Sequence, residues 1–184
     1  GAYGKREDPY AYPGATLAAM VLKRPVKWLW AREETMQYTQ KRHKMEHTFA
    51  AAVDPNGKMQ GFKARIYLDG GAYRSWGKEI ASKSAVMATG PYEIPRVWVD
   101  TMRAYTNNPL CGATRGFGTA NTLAGTERFW HELAEKAGLD QMEFRRANSF
   151  KKGSYTATQH LLHKGVKAIE CIDGADAVFH WQKP

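Results

Sequence analysis

The longest regular pattern of apolar and polar positions lies in "TANTLAGTERFWHELAEKAG", residues 119–138. Leu123, Thr126, Trp130, Leu133 and Ala137 recur at spacings of three and four, which predicts one helix over 120–137 with Gly138 closing it. "DQMEFRRANSF" predicts a second helix capped by Asp140, and "GVKAIECIDGADAVFHW" a last one near the carboxyl end. Near the start, "DPYAYPGATLAAMVLKRP" reads as a helix that Asp8 or a neighbour caps and Pro25 stops. Its body, Ala15 to Leu22, is apolar almost all round, so it is expected to be buried. "VKWLWARE" reads as a short strand, and "WGKEIASKSAVMATG" as a helix closed by Gly90. Residues 44–53 and 58–68 flank "DPNG", whose proline and glycine suit a hairpin turn. "RVWVDTMRAYTN" alternates as a strand, with Val97, Val99, Thr101, Arg103 and Tyr105 on one face. The mixture, without a regular βαβ rhythm, predicts an α+β fold of helices and antiparallel hairpin strands, with an irregular α/β fold as the alternative, in one domain over residues 1–184.

Composition narrows the class. A chain of 184 residues with 43% apolar and 24% charged positions has the make-up of a globular domain with one sizeable core. No apolar run reaches membrane-spanning length. Cys111 and Cys171 have no metal or redox spacing and read as reduced thiols of a cytoplasmic protein. The six histidines make no zinc pattern; His43 and His47 sit four apart, but in a segment that reads as strand. The net charge of +9 raises nucleic acid as a partner. The basic residues are scattered, however, with only "QKRHK" and "RRANSFKK" as clusters, so a solvated basic surface is favoured over a nucleic-acid-binding module. A third reading turns the charge towards an anionic cofactor or another subunit.

One stretch resists a purely structural reading. "NNPLCGATRGFG" places Gly112, Gly116 and Gly118 around Arg115 and Phe117, directly before the long helix. Glycines there permit close backbone approach and turn N–H groups towards an anion at a helix entrance. Arg115 adds charge, and Phe117 a flat face for a planar ring. Taken alone, this loop is better explained as a tight connection with the arginine paired to some carboxylate. "GAYGKRED" at the start, "RPVKWLWAREETM", "GGAY", "PYEIPRVWVDTMRAYTNNPLCGATRGFG" and "GLDQMEFRRAN" follow in that order.

As a set, these motifs resemble the molybdenum-binding subunit of the xanthine dehydrogenase and aldehyde oxidase family, the molybdenum hydroxylases, from Gly1 to about Asn148. The resemblance implies that the chain is an internal piece of a molybdopterin-binding domain from a larger subunit. It implies a molybdopterin, in bacteria usually the cytosine dinucleotide form, with no protein ligand on the metal. Tyr3-Gly4 matches the aromatic-glycine pair of the cofactor loop, where the family more often has phenylalanine first. Arg115 and Gly116 match the second cofactor-side loop, and Phe117 an aromatic that stacks on the substrate. Glu7 falls where purine-oxidising members carry a substrate-orienting glutamate. Lys83, nine residues before Tyr92, stands where they carry an arginine; lysine keeps the charge but loses the planar fork. The catalytic base, a glutamate near the end of full subunits, has no counterpart here. The resemblance implies iron–sulfur clusters and FAD on other domains or subunits.

The implied activity is oxidative hydroxylation of an N-heterocycle or aldehyde, with water supplying the oxygen. The alternative is a 4-hydroxybenzoyl-CoA reductase-type reaction on the same fold. The chain alone is expected to be catalytically silent and free of molybdenum, with the missing remainder of the subunit, the iron–sulfur and flavin subunits and a small planar substrate as partners.

Overall fold

The computed structural model describes residues 3–181. Its elements, in chain order, are α1 (Tyr12–Leu22), α2 (Arg32–Tyr38), β1 (Met45–Val53), β2 (Met59–Asp69), α3 (Gly77–Val86), β3 (Val97–Ala104), α4 (Thr119–Lys136), α5 (Gln141–Asn148) and α6 (Ala168–Phe179). The class is α+β, as the pattern predicts.

The hairpin forms as expected. β1 and β2 pair antiparallel from Met45 opposite Leu68 to Val53 opposite Met59. Asp54 Oδ1 accepts from the Asn56 and Lys58 amides, each at 2.9 Å, and Gly57 takes the left-handed conformation with φ +77°. β3 joins the other edge of β2 in parallel, Phe62 opposite Val97 through Asp69 opposite Ala104, with α3 in the crossover. The alternating pattern contains the strand but not this pairing.

One sheet face is the core. Phe62, Ala64, Ile66 and Leu68 of β2 are buried there beneath α3 and α4. Trp130 of α4 sits in the middle, its ring centroid 4.9 Å from Phe62, 5.0 Å from Phe129 and 6.5 Å from Phe144. The buried line on α4 is Thr122, Thr126, Trp130 and Ala134, so the helix is turned slightly from the face read in the sequence. The opposite sheet face exposes Lys63, Arg65, Tyr67, Trp98 and Met102.

The carboxyl-terminal helices are tied down by polar side chains. The Asp140 carboxylate caps α5 by accepting from the Met142 and Glu143 amides. Asn148 is buried; its side chain accepts from the Met59 amide and donates to the Gly57 and Phe144 carbonyls, all at 2.8 Å. Arg146 reaches Asp173 and Asp176 of α6 at 2.8 Å each. The arginine and asparagine of "RRAN" therefore hold elements together.

Four local expectations are corrected. Residues 25–31 form no strand; they run on without sheet partners into α2. The Glu34 carboxylate accepts from the Ala31 amide at 2.8 Å, and two acidic residues in the first turn favour the helix there. The first helix starts after Ala11, not at Asp8, and Asp8 instead accepts from the Ser75 hydroxyl at 2.6 Å. No residue of α1 is buried: Leu17 is 62% exposed and Val21 71%. Its Gly14 lies against the Trp28 ring, so the helix rests on a segment that is itself at the surface. Finally, α3 ends at Val86; Gly90, with φ +63°, closes a separate turn beyond it. Among the described residues, no helix is long and apolar enough to cross a membrane.

Candidate functional site

The two glycine loops lie against each other although more than 100 residues separate them in the chain. The Arg115 amide donates to the Tyr3 carbonyl at 2.8 Å, and the Arg115 guanidinium stands 5.6 Å from the Tyr3 ring centroid. Gly4 has φ +88°, and a Cβ there would lie 2.8 Å from the Ala113 carbonyl carbon and oxygen. No side chain fits in that conformation and that space.

Residues 40–42 form the spine under both loops. The Lys41 amide donates to the Leu110 carbonyl at 2.8 Å, and the Gly112 amide donates to the Lys41 carbonyl at 3.0 Å. Arg42 donates from Nη2 to the Arg115 carbonyl at 2.8 Å. Gln40 is fully buried and donates from Nε2 to the Gly4 and Ala113 carbonyls, both at 2.6 Å. The Lys5 ammonium donates to the Gln40 carbonyl.

Several backbone conformations around the loops are costly. Tyr3, Ser75 and Phe117 have φ of 52°, 42° and 50°, the left-handed region that non-glycine residues avoid. Such residues persist where the surroundings over-determine them, and they gather at functional sites. At the α4 entrance, a Cβ on Gly118 would meet the Ser84 hydroxyl and stand 2.7 Å from the Ile80 carbonyl oxygen, so the loop is pressed onto α3.

Charge is crowded here. Burial, and then the neighbouring Lys41 and Arg42, push the Lys5 ammonium below its ordinary pKa. Arg115 is exposed beside them. A patch in which neighbouring cations depress a lysine gains from an anionic occupant. In the same loop Thr114 Oγ1 is buried and has no hydrogen-bond partner among the described residues. An orphaned hydroxyl of this kind, between two glycine turns and beside surplus positive charge, suits an oxygen-rich anionic ligand.

Of the residues singled out in the sequence, Tyr3, Gly4, Arg115 and Gly116 belong to this meeting of loops. Phe117 follows them; it is half-buried, packs its inner side on the core, and lies 6.4 Å from the Trp76 ring at 60°. Glu7 is exposed just past the first loop, its amide donating to the Gly4 carbonyl at 3.3 Å. Lys83 is exposed in the last turn of α3. Among the described residues, no side-chain hydrogen bond joins Glu7 or Lys83 to the loops.

Gln40, Lys5, Arg42, Thr114 and Trp76 were not singled out. Gln40 lies in the polar run "YTQKRH", whose composition says surface, and only tertiary contacts show that its amide is buried. His43 is also buried behind this spine, and burial followed by the Arg103 charge pushes its pKa down to about 4. Among the described residues, no group of three or more His, Cys, Asp or Glu side chains is placed to hold a metal ion.

Comparison with known proteins points the same way. The model of the molybdopterin cofactor-binding domain matches residues 1–149. The nicotinate dehydrogenase large molybdopterin subunit of Eubacterium barkeri is 33% identical over 175 residues, covering 95% of this chain and 41% of that protein. The nicotine 6-hydroxylase large subunit of Paenarthrobacter nicotinovorans is 33% identical over 165 residues, covering 87% of this chain and 20% of that one. The solved aldehyde oxidoreductase of Desulfovibrio gigas superposes with a TM-score of 0.91 at 25% identity, covering 98% of this chain and 20% of its own. The chain thus spans less than half the length of these relatives. It belongs to the molybdopterin cofactor-binding domain family of the xanthine dehydrogenase and aldehyde oxidoreductase type, and it corresponds to part of their molybdenum-binding subunits.

Proposed function

We propose that this chain forms one wall of the molybdopterin site in a molybdenum hydroxylase that oxidises an N-heterocycle or an aldehyde. The observation that carries the proposal is the contact of the Tyr3–Gly4 and Ala113–Phe117 loops under a crowded cationic patch. Gly4 and Gly116 pack against Ala113 and Ala120, a close fit that would hold the loop backbone in place beside the cofactor. Arg115, with Arg42 and Lys5 behind it, would offset its phosphate charge, and the Thr114 hydroxyl would gain the partner it lacks. When bound, the group supplies two-electron redox chemistry at molybdenum. Phe117, with Trp76 beside it, would present an aromatic surface to a planar substrate. Glu7, exposed past the first loop, and Lys83, exposed on α3, would contact polar substrate atoms. The proton-removing residue is proposed to lie in the remainder of the subunit.

The cytosine dinucleotide form of the cofactor, iron–sulfur and flavin partners, and a cytoplasmic setting complete the proposal. It is supported by relatives whose names describe large or molybdopterin subunits of a dehydrogenase and a hydroxylase. The test is cofactor content in the full-length protein that contains this chain, purified from a cofactor-producing host. Near-stoichiometric pterin and molybdenum are expected, and a marked loss of both in Gly4→Val, whose side chain has no room against Ala113. Full cofactor content in a folded Gly4→Val variant would contradict the reading.

A further inference from the structure

The two loops are joined by a side chain that belongs to neither. Gln40 lies between α2 and β1 and is fully buried. Its Nε2 carries two protons and both are used, one on the Gly4 carbonyl and one on the Ala113 carbonyl, each at 2.6 Å. Its Oε1 accepts from the Tyr10 hydroxyl at 2.6 Å, and that hydroxyl accepts from the Gln40 backbone N–H at 3.0 Å. The amide orientation is dictated by this network, because exchanging its nitrogen and oxygen would face one oxygen with two carbonyls. A Cβ on Gly112 would stand 2.7 Å from Gln40 Oε1, so the second loop closes directly over the amide.

We infer that Gln40 is a positioning residue whose side-chain amide locks the Tyr3–Gly4 loop to the Ala113–Phe117 loop. Tyr3 and Phe117 flank the joint in left-handed conformations, which need external support to persist. The two carbonyls supply the acceptors, and among the described residues Gln40 is the one side chain that donates to both. The consequence for the cofactor rests on the proposed function; the lock itself does not.

The lock is tested on the 184-residue chain by nuclear magnetic resonance. Through-hydrogen-bond couplings from Gln40 Nε2 to the carbonyl carbons of both Gly4 and Ala113 are expected, and the absence of either overturns the inference. In Gln40→Glu, a carboxylate faces the same two carbonyls with no proton to give. The Arg115 amide, bonded to the Tyr3 carbonyl, is then expected to exchange with solvent about tenfold faster, the order of magnitude for losing buried hydrogen bonds. The Ile66 amide in the sheet should be unchanged. Unchanged Arg115 exchange in the folded variant overturns the lock; if the variant does not fold, the couplings in the unmodified chain decide. In the full-length protein, Gln40→Glu should also lower cofactor content. Faster loop exchange with full cofactor content would uphold the lock and count against the cofactor site.

Discussion

Single residues set the pH response. His43 is buried, and its pKa in the folded chain is about 4 against an ordinary 6.5, depressed by burial and by Arg103 and opposed by Asp69. The unfolded chain therefore takes up a proton between these values that the folded chain refuses. Stability is complete above pH 6.5 and falls as pH drops towards 4, by about 3 kcal/mol at most. His47, depressed by burial as it stacks on Phe49, adds to the fall in the same direction. Asp69 acts lower on the scale. The Thr106 hydroxyl, the Gly71 amide and Asn108 hold its carboxyl below the ordinary 3.8, so its contribution disappears only as pH falls further. Urea unfolding between pH 7 and 4 should show the decline, and His43→Gln should flatten part of it. A wild-type curve that is level over that range would show that His43 is not held neutral by the fold. None of this was legible in the sequence, where His43 is one more residue of a basic run.

Elements differ in how far their own residues specify them. The β1–β2 hairpin was readable because its turn chemistry is local: Asp54 and Gly57 act within the loop they define. The α5 cap was readable for the same reason. The parallel pairing of β3 was not, because it joins strands across a whole helix and depends on the sheet edge they share. α2 was missed because the apolar tryptophans before it suggested a strand, whereas the Glu34 cap decides where the helix begins. Asn148 shows a local motif with a distant purpose, clamping the hairpin end to α5. Asn148→Ala removes three hydrogen bonds in a buried place and leaves the Met59 amide unpaired. A loss of about 2–4 kcal/mol in denaturant unfolding is expected. A loss below about 0.5 kcal/mol, the range of ordinary surface substitutions, would show that the clamp is dispensable.

At the scale of the whole molecule, the departure from expectation is α1. Its apolar circumference predicts burial, yet Leu17, Met20, Val21 and Leu22 are exposed, as are Leu29 and Met36 nearby. An apolar surface of this kind is found where a protein meets another surface. The relatives are much longer than this chain, and the remainder of such a subunit is the occupant proposed for it. The isolated chain should then self-associate. Sedimentation is expected to show concentration-dependent oligomers, which a Leu17→Glu, Val21→Glu double variant shifts towards monomer. A monodisperse monomer at high concentration would remove the reason to regard this face as an interface. The candidate site follows the same division. The residue types of its glycine loops stood out in the sequence, while Gln40 and the crowding around Lys5 depend on contacts between segments far apart in the chain.

Whether those loops border a molybdenum cofactor can be measured directly by anomalous diffraction at the molybdenum edge, on crystals of the cofactor-loaded full-length protein. The expected result is one strong peak beside the joined Tyr3–Gly4 and Ala113–Phe117 loops, on the side where Arg115 is exposed. A peak remote from both loops, with their contact through Arg115 and Gln40 intact, would contradict the proposed site.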